Sequence, residues 1–176
     1  FFNSDRAGGI GRQDIYMTTR TNPNDDFGWT APVNLTAVNS MAAEVGAAYF
    51  EDPTNGIATL YFASDRGKPQ GLDDIFQSTR NPDGTFNPPT AVTELNSPLQ
   101  NAYPKLRRDG LEIFFHSTRD GGLGGLDIWT STRASTVSPW NPPVNVLSLN
   151  TESFDGTPSL SPDGSVLYFA STRDGG

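Results

Sequence analysis

Short apolar runs recur along the whole chain, and turn-forming residues separate them. No stretch sustains the three-to-four spacing of an amphipathic helix. Segments such as 111–118 and 127–133 read instead as strands, bounded by Asp-Gly or Gly-rich turns. The pattern predicts an all-β protein.

The runs also repeat, and repeats decide architecture before single residues do. Residues 1–20, 61–80, 114–133 and 168–176 are copies of one segment. Ser4, Ser64, Ser117 and Ser171 correspond, at separations of 60, 53 and 54 residues. Arg6, Arg66, Arg119 and Arg173 keep those separations. In the complete copies an Asp follows the Arg by eight residues: Asp14, Asp74 and Asp127. A second segment repeats in phase through Trp29, Phe86 and Trp140, and through Asn39, Asn96 and Asn150. A third relates 103–115 to 157–169, with tight turns at Asp109-Gly110 and Asp163-Gly164. Its counterpart in 47–62 has a longer turn containing Asn55-Gly56.

Each unit of about 54 residues therefore holds four short strands. In the third unit these are A (103–107), B (111–118), C (127–133) and D (140–147). Four-stranded units of this length predict a β-propeller of four-stranded antiparallel blades. The order B-C-D, A-B-C-D, A-B-C-D, A-B gives about three to three and a half blades of a larger ring. The expected boundaries are 1–37 for a first blade lacking strand A, 38–94, 95–148, and 149–176 for strands A and B of a fourth.

The motifs Pro-Asp-Gly (162–164), Tyr/Phe-Phe-x-Ser-x-Arg (168–173, 114–119) and Asp-Ile-aromatic (127–129) resemble the TolB-like, WD-like β-propeller repeat family. The resemblance extends over nearly the whole chain. It implies the same fold, a bacterial periplasmic or extracellular setting, and use as an interaction module. The first unit departs from the pattern by lacking strand A, and the second by its longer A–B turn.

Composition narrows the function. With 176 residues, 35% hydrophobic and 11% aromatic, large side chains must carry the core. The 18 Gly and 14 Pro suit a turn-rich β protein. A net charge of −8 argues against nucleic acid and anionic membranes as partners. No apolar run approaches the ~18 residues of a membrane span, so no membrane insertion is expected. The absence of Cys excludes disulfides, thiolate catalysis and Cys-based zinc sites. No signal peptide is visible, and a start at Phe1 without Met reads as an excerpt. Open ring edges would then favour self-association.

The Gly-rich loop 119–127 invites a calcium or phosphate reading. Gly-Gly-x-Gly-x-x-Asp is one residue too long for the repeat-in-toxin motif, and no Gly-Lys-Ser/Thr precedes a helix. No metal or cofactor is expected, and the loop reads as the B–C hairpin of a blade. Arg and Asp then flank its neck. Arg6 with Asp14, Arg66 with Asp74, and Arg119 with Asp127 are expected to clamp the hairpins as ion pairs. The alternative is that each Asp accepts loop N–H groups. His116, the lone histidine, reads as packed within strand B rather than as a base. A sialidase-type turn, Ser-x-Asp-x-Gly-x-x-Trp, is not matched, because Asp163 and Gly164 are adjacent.

Antiparallel strands place the B–C and D–A loops on one face. Residues there that break the repeat are where function would differ between blades. These are Arg12, Gln13, Lys68 and Gln70, joined by Asp120 at the third hairpin. No unrepeated catalytic set is visible. The expected role is a non-catalytic module that binds a protein or other ligand through this face. The alternative is the propeller of a carbohydrate-active hydrolase or lyase, or the gating propeller of a peptidase.

Overall fold

A computed structural model describes residues 1–175. It has thirteen strands and, among the described residues, no helix. The first sheet joins β1 (Phe2–Ser4), β2 (Asp14–Met17) and β3 (Val33–Asn34). The second joins β4 (Glu44–Glu51), β5 (Ala58–Ser64), β6 (Asp74–Thr79) and β7 (Thr90–Ala91). The third joins β8 (Asn101–Leu106), β9 (Glu112–Ser117), β10 (Asp127–Thr132) and β11 (Val144–Asn145). The last pairs β12 (Asp155–Leu160) with β13 (Leu167–Ser171). Every pairing within these sheets is antiparallel, in sequence order, as hairpins require.

The sheets fan outward from one side. The A strands β4, β8 and β12 touch in succession, whereas β3, β7 and β11 do not touch one another. Two apolar layers fill the joints. Between the first and second blades lie Ile15, Leu35, Val38, Leu60, Phe62 and Phe86. Between the second and third lie Tyr61, Ile75, Leu95, Ile113, Phe115, Trp129 and Trp140. Alternation along strand B produces both layers, since successive side chains face opposite neighbours: Leu60 and Phe62 face one way, Tyr61 the other.

Two features depart from an ideal ladder. The outer strands are only two residues long, where 140–147 had been expected to pair. Pro142 and Pro143 precede β11 and Pro88 and Pro89 precede β7. They supply no N–H, so the ladder is interrupted there and resumes only as single bonds, from Asn87 N to the Thr79 carbonyl and from Asn141 N to the Thr132 carbonyl, each 2.9 Å. Each inner strand carries a bulge, with register shifts at Val45/Ala48, Ala102/Lys105 and Gly156/Ser159. The bulged residue has positive φ in all three: Gly46 at 67°, Tyr103 at 55° and Thr157 at 50°. A non-glycine residue there costs about 1–2 kcal/mol. The bulge bends the strand and increases its twist where the sheets converge. At Gly46 the bare backbone also admits the neighbouring blade, because a Cβ would lie 2.8 Å from the Tyr103 Cα.

Candidate functional site

The expected binding face is built on a repeated joint, and its chemistry begins there. Glu44, Ser64 and Asp74 form a row across the top of the second sheet. Asn101, Ser117 and Asp127 form the same row in the third. The Arg two residues after the Ser had been expected to pair with the Asp. It turns to the other end of the row. Arg66 Nη2 lies 2.9 Å from Glu44 Oε1, and Arg173 Nη2 lies 2.5 Å from Asp155 Oδ1. Arg119 Nη2 donates to Asn101 Oδ1 at 2.6 Å and to the Leu95 carbonyl. Arg6 lies over the rings of Phe2 and Tyr16 at 4.9 and 4.6 Å. Among the described residues, no ion pair links Arg6 to Asp14, Arg66 to Asp74 or Arg119 to Asp127.

The reason is competition for the Asp. Asp14 accepts from Gly11 N at 3.0 Å and Asn34 Nδ2 at 2.7 Å. Asp127 accepts from Gly124 N at 3.2 Å and Asn145 Nδ2 at 2.9 Å. Asp74 instead takes the Lys68 ammonium at 2.6 Å. The arginines stack back over the aromatic residues of strands B and C. Arg66 lies 4.9 Å from the Phe76 ring, and Arg119 4.9 Å from Phe115 and 5.1 Å from Trp129. Close packing explains part of the glycine content. A Cβ on Gly124 would lie 2.5 Å from the Ser153 carbonyl of the following blade.

The repeated asparagines also hold the joint. Asn39, Asn96 and Asn150 each clasp the backbone of strand C, at Ile15, Ile75 and Ile128. The Asp155 pair gives this joint a pH signature. Burial pushes the Asp155 carboxyl up, but hydrogen bonds from Ser171, Arg173 and Thr151 outweigh it and bring it down to about 2 from 3.8. A depressed acid stabilises the fold above its unfolded value and loses that contribution as pH falls through the folded one. Asp155→Asn is therefore expected to flatten the decline in thermal stability between about pH 4 and pH 2. Parallel declines in variant and parent would remove Asp155 from the acid response.

Around this frame, the structure collects Arg12, Lys68 and Gln70 in one cleft of about 480 Å3 between the first two hairpins. Arg12 forms an ion pair with Asp65, which also accepts from Gly71 N at 2.9 Å and Ala43 N at 3.1 Å. Lys68 Nζ also donates to the Ser97 carbonyl at 3.0 Å. Gln70 is exposed. Gln13 lies outside the cleft, with Oε1 accepting from Asn3 Nδ2 at 2.7 Å. Asp120 is exposed on the third hairpin and does not share the cleft.

Two carboxylates beside this cleft did not stand out in the sequence. Asp65 and Asp73 are 3% and 6% exposed. Burial pushes Asp65 up, but Arg12 and the two N–H groups hold it below the usual range. Burial pushes Asp73 up, opposed by the Gln100 hydrogen bond. Asp73 did carry a signal, since Gln13 and Leu126 occupy its place in the other copies. His116 is packed, 3% exposed, beside Tyr103 and Phe154. Burial lowers its pKa to about 4, so it is neutral at pH 7.

No family model and no curated protein matches the chain. Solved structures do. An endo-arabinase from Bacteroides thetaiotaomicron VPI-5482 aligns with 98% of this chain and 70% of its own, at 16% identity and TM-score 0.59. The Hadza microbial sialidase Hz136 aligns with 93% of this chain and 39% of its own, at 14% identity and TM-score 0.54. An α-L-arabinofuranosidase from Lactobacillus brevis aligns with 90% and 55%, at 14% identity and TM-score 0.54. The chain thus spans well under two thirds of the latter two. At these identities the likeness establishes fold. The chain is all-β, a run of β-propeller blades of the kind found in these glycosidases.

Proposed function

We propose that this chain is the glycan-recognising part of a carbohydrate-active propeller, with recognition on the face bearing the B–C and D–A loops. The observation that carries the reading is the likeness, over 90% or more of the chain, to three structures whose names are those of glycosidases. It supports carbohydrate ahead of a module that binds protein alone. The TolB-like, WD-like resemblance remains compatible with the fold but adds no support for a ligand.

The role assigned to these residues is recognition rather than turnover. Glycoside hydrolysis uses two carboxyl groups free to act on the glycosidic bond. Glu44 and Asp155 are fully buried against arginines. Asp65 is occupied by Arg12 and two backbone N–H groups. Gln70, exposed and lining the cleft, is placed to meet a sugar hydroxyl.

Calorimetric titration with arabinose-containing and sialylated oligosaccharides tests the reading. Binding that Gln70→Ala weakens about tenfold is the expected result, equivalent to one lost ligand hydrogen bond. Failure of every oligosaccharide to bind the folded protein would overturn it.

A further inference from the structure

The second and third sheets are both complete, yet a gap runs between them from the A–B turn of the second, at Asp52, to Glu94 just past its outer strand. A cleft of about 600 Å3 remains, within the range of small-molecule sites. The equivalent position between the first two sheets is filled by aromatic residues. There Phe1 stacks on Tyr49 at 5.1 Å and meets Phe86 edge-on at 6.1 Å. By the repeat, Tyr61 replaces Phe1, Leu106 replaces Tyr49 and Trp140 replaces Phe86. Leu106 packs against the core, and the cleft is walled instead by the A–B turn of the second sheet, at Asp52, Asn55 and Ile57, which has no counterpart in the first sheet, and by residues 136–140 of the third.

The floor of this space is a donor array on an aromatic base. Arg133 is 9% exposed and lies over the Trp140 ring at 4.2 Å. Its Nε donates to the Gly110 carbonyl at 2.7 Å. Among the described residues it has no carboxylate partner. The Tyr61 hydroxyl sits beside it. One wall carries a fixed negative charge: Asp52, 4% exposed, is held ionised, at about 2, by hydrogen bonds from Thr136, Thr54 and Asn55. The free acceptors lie beside it. Glu94 is exposed at the rim, and the Gln77 amide has no protein partner among the described residues.

A buried cation below two carboxylates favours neither an anion nor a cation. Mixed donors and acceptors over aromatic residues suit a ligand rich in hydroxyls, each of which donates and accepts. We propose that this inter-blade cleft is a subsite for a neutral oligosaccharide, separate from the cleft on the hairpin face. Its ligand class rests on the carbohydrate reading above.

The test is a titration of the intact chain with neutral arabino-oligosaccharides, followed through the Trp140 indole N–H signal in nitrogen–proton correlation spectra. Saturable movement of that signal is expected. Gln77→Ala should weaken the response at least about fivefold, and Gln70→Ala should leave it unchanged. Ala91→Trp, which fills the mouth from the exposed strand β7, should abolish it. Sugar binding that moves the Gln70 signals and leaves Trp140 still would overturn this inference and leave the hairpin-face reading intact. Absence of any sugar binding would remove both. Tighter binding by an acidic oligosaccharide at Trp140 would overturn the neutral ligand class.

Discussion

Glu44→Ala is expected to cost about 3 kcal/mol of unfolding free energy, near the lower end for breaking a buried ion pair. Glu44 is fully buried. It accepts from Ser40 N at 2.9 Å, Ser40 Oγ at 2.6 Å, Ser64 Oγ at 2.7 Å and Arg66 Nη2 at 2.9 Å. Truncation leaves all of these donors without that acceptor. The Arg66 side chain is 22% exposed, so water recovers part of the loss. That places the cost at the low end. Glu44→Gln keeps the shape and one acceptor oxygen, and should cost about half as much. The third blade uses a neutral residue here without being a simple analogue. The Asn101 amide donates to the Leu99 carbonyl at 2.7 Å, a bond no carboxylate can make. Urea unfolding with an unchanged slope is the measurement. A midpoint shift worth under about 1 kcal/mol would mean that the row does not hold the second blade together.

The strand plan was legible because it rests on periodicity and turn chemistry, which sequence carries directly. Asp109-Gly110 does turn, and strands B and C end within a residue of the expected positions. The outer strands are shorter than the apolar pattern predicts, because that pattern continues through Pro142 and Pro143 while the regular ladder is interrupted there, leaving Asn141 a single bond to the Thr132 carbonyl. The clamp illustrates a deeper limit. Arg119 and Asp127 flank a hairpin neck in sequence, and register does set Asp127 opposite Ser117. Yet a side chain chooses among all partners within reach. Loop N–H groups and Asn145 occupy the Asp, while two rings and Asn101 receive the Arg. Glu44, Asn101 and Asp155 recur at separations of 57 and 54 residues, so the correct partner had a signal. It was hidden because the three residue types differ. The same logic bears on function. The repeat ties up its own charged residues, such as Glu44, Arg66, Asp127, Asp155 and Arg173, in joints, so under the carbohydrate reading proposed above ligand contact would fall to departures from it, such as Gln70 and Gln77.

Phe115→Ala should lower stability by about 3–5 kcal/mol, as for other fully buried aromatic truncations. Phe115 is fully buried between the second and third sheets with Ile75, Ile113 and Trp129. Much of the loss is volume, so Phe115→Leu should cost under about 2 kcal/mol. The remainder tests the arginine slot. Arg119 meets only neutral partners there, namely Ser117, Asn101 and the Leu95 carbonyl. Burial lowers its pKa to about 10, which registers a cation short of counter-charge. The faces of Phe115 and Trp129 then add electrostatic support to those hydrogen bonds, worth about 0.5–2 kcal/mol. A double-mutant cycle of Phe115→Leu with Arg119→Met isolates that part, and a coupling of about 1 kcal/mol is expected. Strict additivity would show that the ring acts through its volume alone. The Arg-over-aromatic stack would then be packing that the repeat preserves for shape rather than for charge.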